Sequence, residues 1–384
     1  MKIIYFTTAQ DEKDFHSYMS IWKYPLNSSN QNFHNKLIRS LAYSNKVDVI
    51  SVRPFSHRNT TANKLDAETR IDGNITWHYL KRSGGKINRI LSISPQTKRI
   101  LSKMDLSDAI FVTDTINTSI VRSITGINKK YKRPIIGICT DSPSNISGTK
   151  RSYTVYLLSK CENFDGYLAL TDGLNNLFNP SHKPAYIFEG LVEKRTYKKT
   201  KDEEKPYFFF GGALMERYGI YQLIEAYKEL NNSNIDLYIC GHHIDKMRLK
   251  EAIGNTTGIK YLGLLPVDKV IEYESFALAC INPRPFSEDL DRFSIPSKTL
   301  EYMSSGRPVI SVRNSILMEK FPKEIIWANS SKVEDLKESL EKVLSMTEVE
   351  RENMGEESKN RVLELYSLKN VGDKLTRFLE QFLK

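Results

Sequence analysis

Residues 293–310 read Phe293-Ser294-Ile295-Pro296-Ser297-Lys298-Thr299-Leu300-Glu301-Tyr302-Met303-Ser304-Ser305-Gly306-Arg307-Pro308-Val309-Ile310. Pro296 disfavours helix in the residue before it and suits a first helical turn, Gly306 is a common stop, and Val309 and Ile310 open a strand. The stretch therefore predicts a helix over about 296–304 that feeds a strand, as in parallel α/β folds. The N-terminus of that helix exposes unpaired N–H groups and partial positive charge, which make an anion site. Lys298 stands in the first turn, where a cation is unfavourable by ~0.3–1 kcal/mol, so its presence implies an external anion such as a phosphate. Ser297 and Glu301 are four residues apart and share a face, placing a carboxylate one turn behind the anion site. A carboxylate in that place can hold the hydroxyls of a ribose; the plainer reading is a surface helix with scattered charges.

The same alternation of short apolar runs and amphipathic stretches fills the chain, in two blocks. Strands are expected at 2–7, 47–52, 75–80, 109–113, 135–139 and 166–170, with helices near 32–43 and 87–102. After a polar segment at 193–205, strands are expected at 207–210, 235–240, 259–262, 278–281 and 308–312, with helices near 218–230 and 268–276. The fold class is therefore α/β, as two tandem Rossmann-like, doubly wound parallel-sheet domains. The first covers 1–192, a linker 193–205, the second domain 206–366, and an amphipathic helix 367–384 ends the chain. No short-period repeat is visible, which excludes solenoids and propellers.

The chain has 384 residues, 40% hydrophobic and 27% charged, which excludes disordered and fibrous classes. Its cysteines, Cys139, Cys161, Cys240 and Cys280, are too far apart for a CxxC pair or disulfide framework, so a reducing cytosol is expected. The apolar start at 3–6 reads as a strand, not a signal h-region, and no window reaches the roughly 18 apolar residues of a membrane span. Residues 1–190 carry 26 Lys and Arg against 15 Asp and Glu, whereas residues 191–384 carry 30 against 31. The excess gathers in Lys81, Arg82, Lys86, Arg89, Lys98, Arg99 and Lys103, then Arg122, Lys129, Lys130, Lys132 and Arg133. Anionic lipid, a phosphorylated substrate and nucleic acid would each suit such a patch, and charge alone does not choose among them.

The second block opens with Phe208-Phe209-Phe210-Gly211-Gly212-Ala213-Leu214-Met215-Glu216-Arg217-Tyr218-Gly219, a strand, a glycine turn and a helix start. Gly211 and Gly212 allow backbone to approach a ligand, although the spacing is not that of a dinucleotide site. Arg217 repeats the placement of a cation near a helix start, and with Lys298 would embrace a diphosphate. This order, with Leu-Ile-Glu-Ala-Tyr, Tyr-Leu-Gly-x-Leu-Pro, Ile-Asn-Pro-Arg-Pro and Pro-Ser-Lys-x-x-Glu-Tyr-Met following, resembles bacterial exopolysaccharide and capsule glycosyltransferases of family 4, group 1. The resemblance is specific over 207–312 and looser before it, where Asn27–His34 and Thr140–Pro143 resemble acceptor-side loops.

The resemblance implies the GT-B fold, with the two domains facing a cleft, and retaining transfer of a sugar from a nucleotide-diphosphate donor, UDP-linked, to an acceptor hydroxyl. It implies that Glu301 holds the ribose, as the second glutamate of an E-x7-E motif, and that Lys298 and Arg217 hold the diphosphate. The first glutamate of that motif is replaced by Phe293, leaving Arg284, Glu288 or Ser294 to grip the donor sugar. Tyr218 occupies the place of the family's lysine. Donor binding is thus expected at Gly211, Gly212, Arg217, Arg284, Ser294, Ser297, Lys298 and Glu301, and the acceptor near Asn30, His34 and Asp141. Arg217, Lys298, Glu301 and Asp141 are the expected catalytic set. No protein nucleophile is needed in the scheme usually proposed for this family, because the donor's own phosphate deprotonates the acceptor.

Asp289-Leu290-Asp291 has the spacing of a metal-binding Asp-x-Asp, but it falls in a loop of this tandem fold, and no metal or other cofactor is expected. His242-His243 reads as a turn, and the stripe Tyr153, Tyr156, Leu157 as helix core. The partners expected are a nucleotide sugar, a glycan or lipid-linked acceptor and an anionic membrane surface, with no nucleic acid. The location expected is cytoplasmic, peripheral to the inner face of the cell membrane. A non-hydrolysing sugar-nucleotide epimerase has the same tandem architecture but needs paired acid–base residues, which are not evident. A basic membrane or nucleic-acid adaptor leaves the neutral second block unexplained.

Overall fold

The apolar runs at 3–6, 110–112 and 135–139 are buried on both faces, as strands must be when helices cover each side of a sheet. The computed structural model describes residues 1–20, 28–53, 65–82, 86–145, 150–194, 205–242 and 245–383. These form two compact units. The first comprises 1–191, 292–295 and 368–384, and the second 192–291 and 296–367.

The first unit contains β1 (Lys2–Thr7), β2 (Lys46–Ser51), β3 (Glu68–Asp72), β4 (Ile75–Tyr79), β5 (Ala109–Asp114), β6 (Ile135–Cys139), β7 (Gly166–Ala169) and β8 (Ala185–Ile187). Their order is β3-β4-β2-β1-β5-β6-β7-β8. All pairs are parallel except β3 with β4. β3 and β8 were not expected: every residue of Glu68–Asp72 is exposed, so that edge strand shows no apolar run, and Ala185–Ile187 has only three residues. The helix Ser28–Leu41 starts earlier than its apolar pattern, which begins at Phe33.

The helix Leu368–Glu380 packs on Ser28–Leu41 within this unit. Ser40 Oγ donates to the Leu368 carbonyl at 2.6 Å and Asn45 Nδ2 to Thr376 Oγ1 at 2.7 Å. A Cβ on Gly372 would lie 2.0 Å from the Ser40 carbonyl oxygen, so the close crossing requires glycine there.

The second unit contains β9 (Tyr207–Gly211), β10 (Asp236–Cys240), β11 (Ile259–Tyr261), β12 (Ala279–Asn282), β13 (Val309–Val312) and β14 (Ile326–Ala328). All pairs are parallel, in the order β11-β10-β9-β12-β13-β14. This is the doubly wound order, whose direction reverses between β9 and β12. The core is made of Phe208, Phe210, Leu223, Leu237, Ile239, Ile281 and Ile310 with the helical Leu336 and Leu340. The linker expected at 193–205 falls largely on residues 195–204, outside the described residues.

Candidate functional site

In a doubly wound sheet, ligands bind outside the carboxyl ends of the strands that flank the reversal. In the second unit these ends are Gly211-Gly212 after β9 and Asn282-Pro283-Arg284 after β12. The helix Ser297–Met303 is fastened beside them. Tyr302, fully buried, accepts the Gly211 N–H at 2.9 Å and donates to the Gly211 carbonyl at 3.1 Å. Asn282 Nδ2 donates to Thr299 Oγ1 at 2.8 Å. These ties hold the first turn of the helix against the sheet.

Lys298 is the cation this brings to the reversal point. A Cβ on Gly212 would lie 2.9 Å from Lys298 Cε, so the lysine stem crosses the space that the glycine leaves open. Gly241 makes the same region possible from the neighbouring strand. It has φ +135°, and a Cβ there would lie 1.7 Å from the Gly212 carbonyl oxygen. The sequence reading did not single out Gly241; a glycine just past a strand end is the signal that could have found it. Burial pushes the Cys240 thiol up to about 11, and the nearby Lys298 charge opposes that shift.

The other donor-side candidates are placed differently. Glu301 is half-buried on the same helix, one turn after the exposed Ser297. Arg217 lies in the short turn Glu216–Tyr218, before the helix Ile220–Leu230 and separated from it by Gly219 at φ +76°. It is exposed, 4.9 Å from the Tyr218 ring centroid, and stands near a helix start as expected, in a turn of its own three residues before the helix. Arg284 is not a free donor ligand: its guanidinium pairs with Asp291 at 2.7 Å with both side chains largely buried. Asp291 also accepts the Ser287 N–H at 3.0 Å, and the Asp-x-Asp lies in the short helix Glu288–Asp291, not in a loop as expected, so its second carboxylate ties the end of that helix to the residue before it. Among the described residues no group of three His, Cys, Asp or Glu side chains could hold a metal ion.

Ser294 belongs to the first unit, within 292–295, and not to the body that carries Lys298. Phe293 packs on the first unit's core, and Thr171 Oγ1 donates to the Arg292 carbonyl at 2.7 Å. An aromatic ring at the position of the expected glutamate is thus accounted for by apolar burial.

In the first unit, Asn30 Nδ2 donates to Thr8 Oγ1 at 3.3 Å. Asp141 follows β6 and accepts the Ser142 N–H at 2.7 Å. His34 is fully buried and cannot touch an acceptor. Its Nδ1 lies 2.6 Å from the Tyr5 hydroxyl and its Nε2 3.6 Å from Asp114 Oδ2. Burial lowers the imidazole below its usual range, against the pull of Asp114, and raises the Tyr5 phenol. The aromatic stripe also divides: Leu157 is core, but Tyr153 is 36% and Tyr156 38% exposed, so neither ring is core as expected.

The basic patch is narrower than the sequence implied. Arg82 is buried and donates to the Arg53 carbonyl at 3.2 Å. Arg133 is spent on the carbonyls of Leu106, Ser107 and Tyr131. The side chains of Lys86 and Arg89 lie outside the described residues. Lys98, Arg99, Lys103, Lys129, Lys130 and Lys132 remain exposed. No described helix is long and apolar enough to cross a membrane.

Residues 193–361 match the family model for glycosyl transferases group 1. Among curated proteins, none matches the sequence. Solved structures align over nearly the whole chain. Sucrose-phosphate synthase from Thermosynechococcus elongatus has TM-score 0.69 at 11% identity, covering 99% of each chain. A glycosyltransferase from Rickettsia africae has TM-score 0.68 at 15% identity, covering 100% of this chain and 98% of its own. A UDP-forming α,α-trehalose-phosphate synthase from Burkholderia vietnamiensis has TM-score 0.62 at 10% identity, covering 99% of this chain and 100% of its own. The fold is that of the GT-B glycosyltransferases, α/β with parallel sheets, as the sequence implied.

Proposed function

We propose that this glycosyltransferase moves a sugar from a nucleotide-diphosphate donor, UDP-linked, to a hydroxyl of a glycan or lipid-linked acceptor in surface-polysaccharide synthesis, with retention at the anomeric carbon and without a divalent metal. The observation that carries the reading is the lysine stem of Lys298 laid across Gly212, at the strand ends where a doubly wound sheet takes its ligand. The match to group 1 glycosyl transferases over 193–361 supports the reaction class, and the UDP-forming neighbour supports the choice of base.

The main barrier to transfer is departure of a negatively charged diphosphate. A fixed ammonium beside it stabilises charge where it develops, and removing one such group typically slows the step by about 10²–10³. Lys298 serves there, Glu301 takes the ribose hydroxyls, and Arg217 closes over the diphosphate from its exposed turn. The acceptor proton passes to the donor phosphate, so the chain supplies no nucleophile. The exposed cations of the first unit hold the enzyme on an anionic membrane surface at the cytoplasmic side.

Thermal shift against a panel of nucleotides and nucleotide sugars tests the reading. UDP at a hundred times its dissociation constant adds ~2.7 kcal/mol to stability, and Lys298→Ala should remove most of that shift. A Lys298→Ala protein that binds UDP as the parent does would refute the site. Charge reversal at Lys98, Arg99, Lys129 and Lys130 should release the chain from phosphatidylglycerol vesicles, and unchanged binding would remove the membrane claim.

A further inference from the structure

Between β12 and the helix Ser297–Met303 the chain leaves the second unit for four residues: 292–295 belong to the first unit, whereas Asp291 and Pro296 belong to the second. The four residues are firmly seated. Phe293 packs against the first unit's core, Ile295 is buried, and Thr171 Oγ1 donates to the Arg292 carbonyl at 2.7 Å. Gly173, in the first turn of the helix Asp172–Phe178, admits that carbonyl, since a Cβ there would lie 2.2 Å from the Arg292 oxygen. Glycine is otherwise disfavoured inside a helix.

The two exits of the segment are stiff. On one side Asp291 is held by the Arg284 guanidinium at 2.7 Å and by the Ser287 N–H at 3.0 Å. On the other, Pro296 alone separates Ile295 from the helix that carries Lys298; its ring fixes φ and restricts the backbone of Ile295 before it. Pro296 gives that helix no side-chain cap. The ties to Asn282 and Gly211 fasten Thr299 and Tyr302, so the start of the helix, where Lys298 stands, is held from the side of the segment.

We propose that residues 292–295 are a strap through which the first unit positions Lys298, with Phe293, Thr171 and Gly173 as positioning residues for the donor site. The effect on the donor rests on the reading of Lys298 as the diphosphate ligand; the hold on the helix does not.

Gly173→Ala tests the strap from a distance, because its methyl displaces the Arg292 carbonyl from within the first unit while alanine is the better helix former. Calorimetric titration should show UDP affinity lowered about fivefold or more. Hydrogen exchange without nucleotide should show residues 297–303 exchanging faster and residues 207–211 unchanged. Phe293→Ala should do the same, and Phe293→Leu, which keeps an apolar side chain in the seat, should stay within about twofold of the parent. In a Lys298→Ala background Gly173→Ala should lower the affinity no further, whereas a merely structural defect would add its own factor. If Gly173→Ala fails to fold, the two Phe293 variants carry the test. Exchange at the parent's rate over 297–303 in both Gly173→Ala and Phe293→Ala overturns the strap. So does UDP affinity that falls in Lys298→Ala but in neither of those variants, or that falls equally with and without Lys298. Faster exchange over 297–303 together with undiminished UDP binding by Lys298→Ala would uphold the hold on the helix and defeat the diphosphate reading.

Discussion

Gly212→Ala separates the site from the fold that carries it. The added methyl would stand 2.9 Å from Lys298 Cε and 3.3 Å from the Phe210 ring, and the nearer atom is the far end of a flexible side chain. Lys298 can swing away by rotating its stem, at a cost of about 1 kcal/mol or less in stability. Its ammonium then leaves the position that meets the diphosphate. A hydrogen bond to a charged group contributes about 1.5–3 kcal/mol, and losing roughly half of that raises the dissociation constant for UDP about tenfold. Gly241→Ala is the contrasting perturbation. Its methyl would meet the Gly212 carbonyl oxygen at 1.7 Å, at φ +135°, so backbone must move and stability should fall by ~2–5 kcal/mol. Calorimetric UDP titration and thermal unfolding of both variants read the two effects apart. A Gly212→Ala protein that binds UDP at the parent's affinity, or that unfolds as readily as Gly241→Ala, would refute the reasoning.

Tyr302→Phe removes the partner of the buried Gly211 N–H and carbonyl and should destabilise the second unit by ~1–3 kcal/mol, measured by urea unfolding. The pH dependence follows from His34, whose folded-state affinity for a proton is lowered by burial. As pH falls below about 6.5 the unfolded chain takes up a proton that the folded one refuses, so stability drops by up to ~1.4 kcal/mol per pH unit until the folded value is reached. Urea unfolding at pH 7.5, 6.5 and 5.5 should show that slope in the parent and lose it in His34→Gln; an unchanged slope would acquit His34.

Much of the architecture was legible because central strands of parallel sheets are apolar on both faces. Ile3 to Phe6 and Phe208 to Phe210 announce themselves without tertiary knowledge. The edge strand Glu68–Asp72 did not, since polar residues suit an exposed edge. The helix carrying Lys298 and Glu301 was readable from Pro296 and Gly306, which are local signals. What those side chains meet was not local. Arg284 and Ser294 looked like free ligands in sequence, but one pairs with Asp291 and the other lies in the first unit. His34 and Tyr156 exchanged roles for the same reason: a histidine near a helix start is buried under Tyr5, and a tyrosine in an apolar stripe faces a cavity.

A crystal structure of the chain grown with UDP tests the central claim most directly. The diphosphate should lie at the carboxyl ends of β9 and β12, with an oxygen within about 3 Å of Lys298 Nζ. UDP bound elsewhere, or Lys298 still folded across Gly212 with no nucleotide beside it at saturating UDP, would contradict the account.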